Sequence, residues 1–302
     1  MPELPAVEFT RRLIEDHCLK KSINFTNFFG ESDELIFSKP AAEFVKSDLM
    51  GRKVEEVSRW GKQLWIIFSS NESEDGARVA LLMHLGMTGF VQFKGSDRLL
   101  YESSPSNSKK EKNVTEIWPP KFVKFIIGFD NDANMAFCDA RRFGKVDLLS
   151  IPSESDVKIA QIISQKFNLG FDPLIAMPSL KEFKDLLIPE MKRRINMKAL
   201  LMQQTFVAGI GNWMADDILL LAGILPKRAV SSLTEEEIHR LHKAIADITA
   251  VAVDAGANKS KFPKEWLFHI RWQHGNETLI GLKVLNEKIA GRSTFWVPEL
   301  QK

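Results

Sequence analysis

Leu64-Trp65-Ile66-Ile67-Phe68 and Val79-Ala80-Leu81-Leu82-Met83 are short apolar runs rich in β-branched and aromatic residues, each bounded by polar chain. Runs of that length and composition read as strands. Phe122-Val123-Lys124-Phe125-Ile126-Ile127 and Ala136-Phe137-Cys138 repeat the texture, so the chain from about Val54 to Val146 is expected to form a β-sandwich or barrel. Working outward, the pattern turns helical after Ile151-Pro152-Ser153, with helices expected over Leu180 to Leu187, Ile195 to Gln203, Trp213 to Leu221 and Thr234 to Ala255. In the last of these, Thr234 and Glu237 make a capping box and Ile238, Leu241, Ile245, Ile248 and Ala252 line one face. On the other side of the strands, Pro5 suits the first turn of a helix carried on by Val7, Leu13, Ile14 and His17. The tail from Thr278 to Val297 returns to strand-like runs broken at Gly281, Asn286 and Gly291, as in a hairpin. The fold class is therefore α+β in two domains, 1–152 and 153–302. A polar insertion at about 95–117, containing Ser103-Ser104-Pro105-Ser106-Asn107-Ser108-Lys109-Lys110, is expected to be flexible.

The 302 residues, 44% apolar and 26% charged, are ample for a folded core and exclude wholesale disorder. No apolar run approaches the roughly 20 residues of a bilayer-spanning helix, and the start lacks the features of a secretory signal; no membrane partner is expected. Two distant cysteines, Cys18 and Cys138, can build neither a disulfide framework nor a cysteine zinc site, which suits a reducing compartment. The net charge of +2 is too small to mark a polyanion ligand. Its distribution tilts weakly, with 23 Lys/Arg against 25 Asp/Glu over residues 1–178 and 18 against 14 over residues 179–302.

Four local constellations carry chemistry. If Met1 is removed, Pro2 presents a secondary amine beside the carboxyl of Glu3. At a reference α-amino pKa of about 7.7, roughly one such amine in six is unprotonated at pH 7, so it can attack a sugar C1′ while Glu3 exchanges a proton with the ring oxygen. Met83-His84-Leu85-Gly86-Met87-Thr88-Gly89 places a flexible apolar wedge, Met87, at a loop tip. Asp139-Ala140-Arg141-Arg142-Phe143-Gly144-Lys145 sets guanidinium groups beside an aromatic side chain, a combination able to bond an orphaned base and wedge a step. Gln203-Gln204-Thr205-Phe206-Val207-Ala208-Gly209-Ile210-Gly211-Asn212 leads into a helix whose first N–H groups, with Asn212, could grip a phosphate. Each has a plain counterpart: a helix lead-in, a core Met87 with a structural His84, a solvated turn over a buried Phe143, and glycines as ordinary caps. His239 and His242, three apart on the capped helix, read as part of a solvated face rather than as metal ligands.

Taken together, in this order and at these separations, the segments resemble the formamidopyrimidine-DNA glycosylase / endonuclease VIII family of base-excision repair enzymes. The resemblance implies an N-terminal β-sandwich, a C-terminal helical domain with a helix-two-turn-helix motif, and damaged double-stranded DNA bound between them. It makes Pro2 the Schiff-base nucleophile and Glu3 the proton donor. Lys62, in Gly61-Lys62-Gln63-Leu64, matches the lysine that contacts phosphate and assists β-elimination. His84, Met87, Arg141 and Phe143 fall among the DNA contacts, with Arg141 facing the widowed base, and Asn212 matches the phosphate-binding asparagine. Most bacterial members carry a four-cysteine zinc finger, and this chain has no cysteine after Cys138. Gly291-Arg292-Ser293-Thr294-Phe295-Trp296-Val297 instead resembles the zincless finger of plant and fungal members at about 276–302, a hairpin held by burial of Phe295 and Trp296 that presents Arg292 to phosphate for δ-elimination.

Three departures qualify the match. Ala6 stands where many members have a second acidic residue, a DNA-contacting histidine is missing from Pro119 to Phe125, where Lys121 or Lys124 could substitute, and Gly256 to Arg271 is short. The last implies weaker action on 8-oxoguanine than on formamidopyrimidines or hydantoins. The resulting expectation is a monomeric, nuclear glycosylase and abasic-site lyase for oxidised purines, needing no metal or organic cofactor. The alternatives are an endonuclease VIII-like enzyme for oxidised pyrimidines and a catalytically silent binder of damaged DNA.

Overall fold

The structure, a computed structural model, describes residues 2–29, 33–38, 49–70, 77–96, 118–151, 159–271 and 278–302. It divides into two compact units, Ala6–Ile163 with Pro2, and Ser164–Lys302 with Glu3–Pro5. Nearly all of the expected insertion, and residues 152–158 where the expected domain border falls, lie outside the described residues.

The first unit is a sandwich of two antiparallel four-stranded sheets. Helix α1 (Leu4–Cys18) leads into β1 (Ile23–Phe28), which pairs in the order β1-β6-β7-β5 with β6 (Val123–Phe129), β7 (Asn134–Cys138) and β5 (Phe90–Phe93). The second sheet runs β2-β3-β4-β8, from β2 (Val54–Trp60), β3 (Gln63–Phe68), β4 (Arg78–His84) and β8 (Lys145–Ile151). One core fills the space between: Leu64, Ile66 and Phe68 from β3 meet a ladder of stacked rings, Phe28 on Phe125 at 5.3 Å and Phe125 on Phe137 at 5.5 Å. Val7, Ile14 and Cys18 of α1 enter the same core. The outer face of β3 and β4 is covered as well, Trp65, Ile67, Ala80 and Leu82 packing under Ile159 and Ile163 of helix α2 (Ile159–Lys166). Burial on both faces is why these two strands read as unbroken apolar runs instead of alternating.

The second unit is built on four helices: α3 (Leu180–Met191), α4 (Met197–Leu201), α5 (Asn212–Ala222) and α6 (Glu235–Asp254). Ser179 with Glu182 and Thr234 with Glu237 close reciprocal capping boxes that fix the starts of α3 and α6. Helix α5 is buried almost all round, with Trp213, Met214, Ile218 and Leu219 at its centre; each such side chain contributes roughly 1.5–3 kcal/mol by leaving water. Trp213 packs within an aromatic cluster of Phe262, Trp266 and Phe268. Gly223, at φ 69° and bonded back to Leu219 and Leu220, ends the helix.

Two hairpins complete the unit, β9 (Thr278–Leu279) with β10 (Leu282–Lys283) and β11 (Leu285–Ile289) with β12 (Arg292–Trp296). The expected break at Asn286 is absent: Asn286 sits inside β11 opposite Phe295, and the turns fall at Ile280-Gly281 and Ala290-Gly291, where φ is positive. The hairpin core is apolar, Leu267, Ile270, Leu279, Val284, Phe295 and Val297 packing together, with Trp296 also buried. His242 departs from the expected solvated face. It is half-buried, its Nε2 lies 2.8 Å from the Pro178 carbonyl and its ring stands edge-on to Phe183, while His239 is exposed. Among the described residues no cluster of His, Cys, Asp or Glu could hold a metal ion, and no helix is long and apolar enough to cross a membrane.

Candidate active site and nucleic-acid contacts

In the second unit, the start of α5 is the organising feature. Gln204 pins the loop before it, its Oε1 accepting from the Gly209 N–H at 2.9 Å and its Nε2 donating to the Ile210 carbonyl at 2.8 Å. Gly209, at φ 103°, accepts the Leu4 N–H through its carbonyl, and a Cβ there would lie 2.6 Å from the Leu4 side chain. At Gly211 a Cβ would lie 2.4 Å from the Glu3 carboxyl carbon. The two glycines are therefore clearance for residues 3 and 4. Into that clearance comes the Glu3 carboxylate, buried, with Oε2 accepting from Gly211 N–H (2.8 Å) and Met214 N–H (3.2 Å) and Oε1 from Trp213 N–H (3.1 Å). The N–H groups that the sequence assigns to a phosphate are taken by Glu3; a helix N-terminus with unsatisfied donors and partial positive charge binds the nearest anion, and here that anion is built in. Asn212 keeps its side chain outside this arrangement, Nδ2 donating to the Ser293 carbonyl at 3.0 Å. Arg292, the first residue of β12, is exposed.

In the first unit, Lys62 occupies the two-residue turn between β2 and β3, made possible by Gly61 at φ 58°, and is buried. Burial, and after it the Lys62 charge, pushes the His84 imidazole down to about 4. The ring is neutral at pH 7, and its Nδ1 accepts the Gly86 N–H at 3.1 Å, which leaves Nε2 as the donor. Half-buried Met87 and the exposed Arg141–Phe143 turn are braced together by Asp139, fully buried. Its Oδ1 accepts the Thr88 hydroxyl at 2.6 Å and the Arg141 N–H at 3.2 Å, and its Oδ2 accepts the Gly144 N–H at 2.7 Å. Gly86 lies so close to Phe143 that a Cβ would be 2.4 Å from its carbonyl carbon.

The arginine pair is divided in role. Arg142 is clamped through two nitrogens to Asp33, whereas Arg141 has no carboxylate partner among the described residues and lies 4.9 Å over the ring of Phe143, itself half exposed. Asp33 also takes Lys124 at 3.4 Å, and of the two lysines considered as substitutes for the missing histidine, Lys121 is the exposed one. Pro2 is buried in this unit.

Sequence reasoning missed three polar clusters. Asp139 lies in a quoted motif, but its bracing role shows only in the fold. Two residues after Ala6, buried Glu8 is bonded by Arg11, Arg12 and Arg59. Burial pushes its carboxyl up, but the Arg11 hydrogen bonds and the Arg59 charge outweigh that and hold it below the usual range. The third cluster, Lys198 with Asp216 and Arg271, is announced only by Asp216-Asp217 in an otherwise apolar helix.

The model of the formamidopyrimidine-DNA glycosylase N-terminal domain matches residues 1–146, and that of the formamidopyrimidine-DNA glycosylase H2TH domain matches residues 169–264. A formamidopyrimidine-DNA glycosylase of Arabidopsis thaliana is 33% identical over 303 residues, spanning 100% of this chain and 71% of that protein. One from Carboxydothermus hydrogenoformans is 30% identical over 314 residues, spanning 100% of both. Wild-type Fpg (MutM) of Lactococcus lactis, solved in complex with DNA containing N7-benzyl-Fapy-dG, matches with a TM-score of 0.74 and 26% identity over 100% of both chains. Fold and relatives define an enzyme of DNA repair, a DNA glycosylase acting on oxidised bases and an abasic-site lyase. The chain belongs to the formamidopyrimidine-DNA glycosylase family.

Proposed function

We propose that this enzyme removes oxidised purines, formamidopyrimidines and hydantoins above 8-oxoguanine, through an N-terminal proline Schiff base followed by β,δ-elimination. The observation that carries the reading is the Glu3 carboxylate, fixed by three backbone N–H groups and directly preceded by an imino acid. Removal of Met1 turns the Pro2 nitrogen from a tertiary amide into a secondary amine, and an α-amine of ordinary pKa, about 7.7, is neutral and nucleophilic in roughly one chain in six at pH 7. The lone pair attacks C1′ as the glycosidic bond breaks; the base departs with the bonding electrons and takes its proton from water, and the ammonium N–H so formed passes its proton to the Glu3 carboxylate. Opening of C1′–O4′, with Glu3 delivering a proton to O4′, gives the iminium. Loss of the C2′ proton expels the 3′ phosphate, and loss of the C4′ proton then expels the 5′ phosphate.

Lys62 and Arg292 serve these two eliminations. Met87 and Phe143 occupy the space of the flipped nucleotide, Arg141 bonds the widowed base, and His84, Asn212 and Arg292 complete the DNA contacts. The β11–β12 hairpin, with an apolar core and no cysteine, supports the zincless-finger reading. The enzyme works as a nuclear monomer without metal or organic cofactor, so incision should survive prolonged chelation. Borohydride should trap a covalent adduct with an abasic duplex, its mass lacking Met1, and Pro2→Gly should reduce trapping by at least about 100-fold. Undiminished trapping removes Pro2 from the mechanism. Faster release of thymine glycol than of a formamidopyrimidine would move the enzyme to oxidised pyrimidines.

A further inference from the structure

Lys198, Asp216 and Arg271 form a charged cluster inside the second unit that the proposed chemistry does not use. Lys198 and Asp216 are both fully buried, and Arg271 nearly so. Asp216 Oδ1 accepts from Lys198 Nζ at 2.5 Å; Oδ2 accepts from the Arg271 guanidinium and, at 3.2 Å, from the Phe295 N–H of β12. Arg271 in turn lies 5.1 Å over the Phe295 ring. Lys198 also donates to the Asn212 carbonyl at 2.5 Å, and the Asn212 side chain donates to the Ser293 carbonyl, two residues before Phe295. The contacts close a ring: from the first residue of α5 through Lys198 and Asp216 to β12, and back along β12 through Ser293 to Asn212.

We infer that Asp216 is a positioning residue, a carboxylate clasp that fixes the β11–β12 hairpin to the start of α5 so that Arg292 and Asn212 face DNA phosphates as one unit. The inference rests on the functional reading above for what Arg292 and Asn212 contact. Three features favour a clasp over a generic core ion pair. Asp216 reaches three separate segments, α4, the chain at Arg271 and β12. One of its bonds is to the backbone of the strand that begins with Arg292. The hairpin has no cysteine with which a metal could do the same work.

The test is a double-mutant cycle on an abasic-site duplex using Asp216→Asn and Arg292→Ala, singly and together. Binding is followed against salt, along with the ratio of δ- to β-elimination product. Arg292→Ala should weaken binding and flatten the salt slope by about one. Asp216→Asn should reproduce most of that loss, about tenfold in affinity with a product ratio shifted toward β-elimination, and should add no more than about twofold in the Arg292→Ala background. Equal losses in both backgrounds overturn the inference, as does a folded Asp216→Asn protein with undisturbed binding, slope and products. Where Asp216→Asn does not fold, Arg271→Gln, which keeps the Lys198–Asp216 pair, is read in the same cycle with the same outcomes. Amide exchange separates the clasp from the functional reading. If the unsubstituted protein forms no trapped adduct the functional reading fails, while loss of Phe295 N–H protection in Asp216→Asn or Arg271→Gln still supports the clasp and retained protection overturns it.

Discussion

At the scale of single residues, the glycine before α5 and the histidine at the end of β4 make separable demands. A methyl group at Gly211 would lie 2.4 Å from the Glu3 carboxyl carbon, closer than van der Waals contact allows, so Gly211→Ala should push Glu3 off its three donors. The expected result is base release slowed on the order of 100-fold in single-turnover assays, with a stability loss of about 1–3 kcal/mol. Base release at the original rate would mean that Glu3 need not be held there. His84 makes a pH prediction whose sign follows from its depressed imidazole. The folded ring resists protonation until about pH 4, whereas the unfolded one protonates near 6.5, so the unfolded state takes up the proton first and stability falls as pH drops through that window. His84→Asn keeps an acceptor for the Gly86 N–H and does not titrate. Between pH 6.5 and pH 5 it should lose about 1.5 kcal/mol less than the parent, measurable by denaturant unfolding; parallel pH profiles would refute the neutral, half-buried imidazole.

At the scale of elements, the β11–β12 turn carries a local strain that can be relieved. Ala290 and Gly291 both have positive φ, the two-residue turn that matches strand twist but suits Asn-Gly better than Ala-Gly. Ala290→Asn should therefore stabilise the second unit by roughly 0.5–1 kcal/mol, seen as a higher melting temperature; an unchanged or lower one would count against the turn as described. The same hairpin marks a boundary of what sequence conveys. The strand run through Asn286 was obscured because a polar residue on the solvent face of a short edge strand looks like a turn signal. By contrast β3, β4 and α6 were legible, since continuous burial and a capping box leave marks within a few neighbouring residues. What stayed hidden joins distant positions. Glu3 meeting Gly211, Asp139 meeting Thr88, and Asp216 meeting Phe295 are separated by 208, 51 and 79 residues. No local period records such pairings, so the groups that hold the motif segments in place were not readable.

At the scale of the whole molecule, charge and thiols set how it behaves in solution. With a net charge of +2, the proposed contacts leave DNA affinity to a few placed cations, Lys62 and Arg292 among them, so binding should fall with salt at a slope of about −3, far shallower than for proteins that neutralise ten phosphates. A slope near −8 would point to a much larger basic footprint. Cys18 and Cys138 are both buried, and burial pushes the Cys18 thiol up, so the native enzyme should resist alkylation and gain two adducts only on unfolding; rapid labelling of the folded chain would contradict their burial. The seat of Glu3 at the head of α5 also bears on how an inert form for cocrystals with lesion-bearing duplex should be made. Truncation to alanine would silence the proposed proton transfer but strip three main-chain donors of their acceptor in a sealed spot, softening the neighbourhood the experiment seeks to see. A glutamine retains one oxygen of the right reach and nearly the same outline, and makes the better decoy.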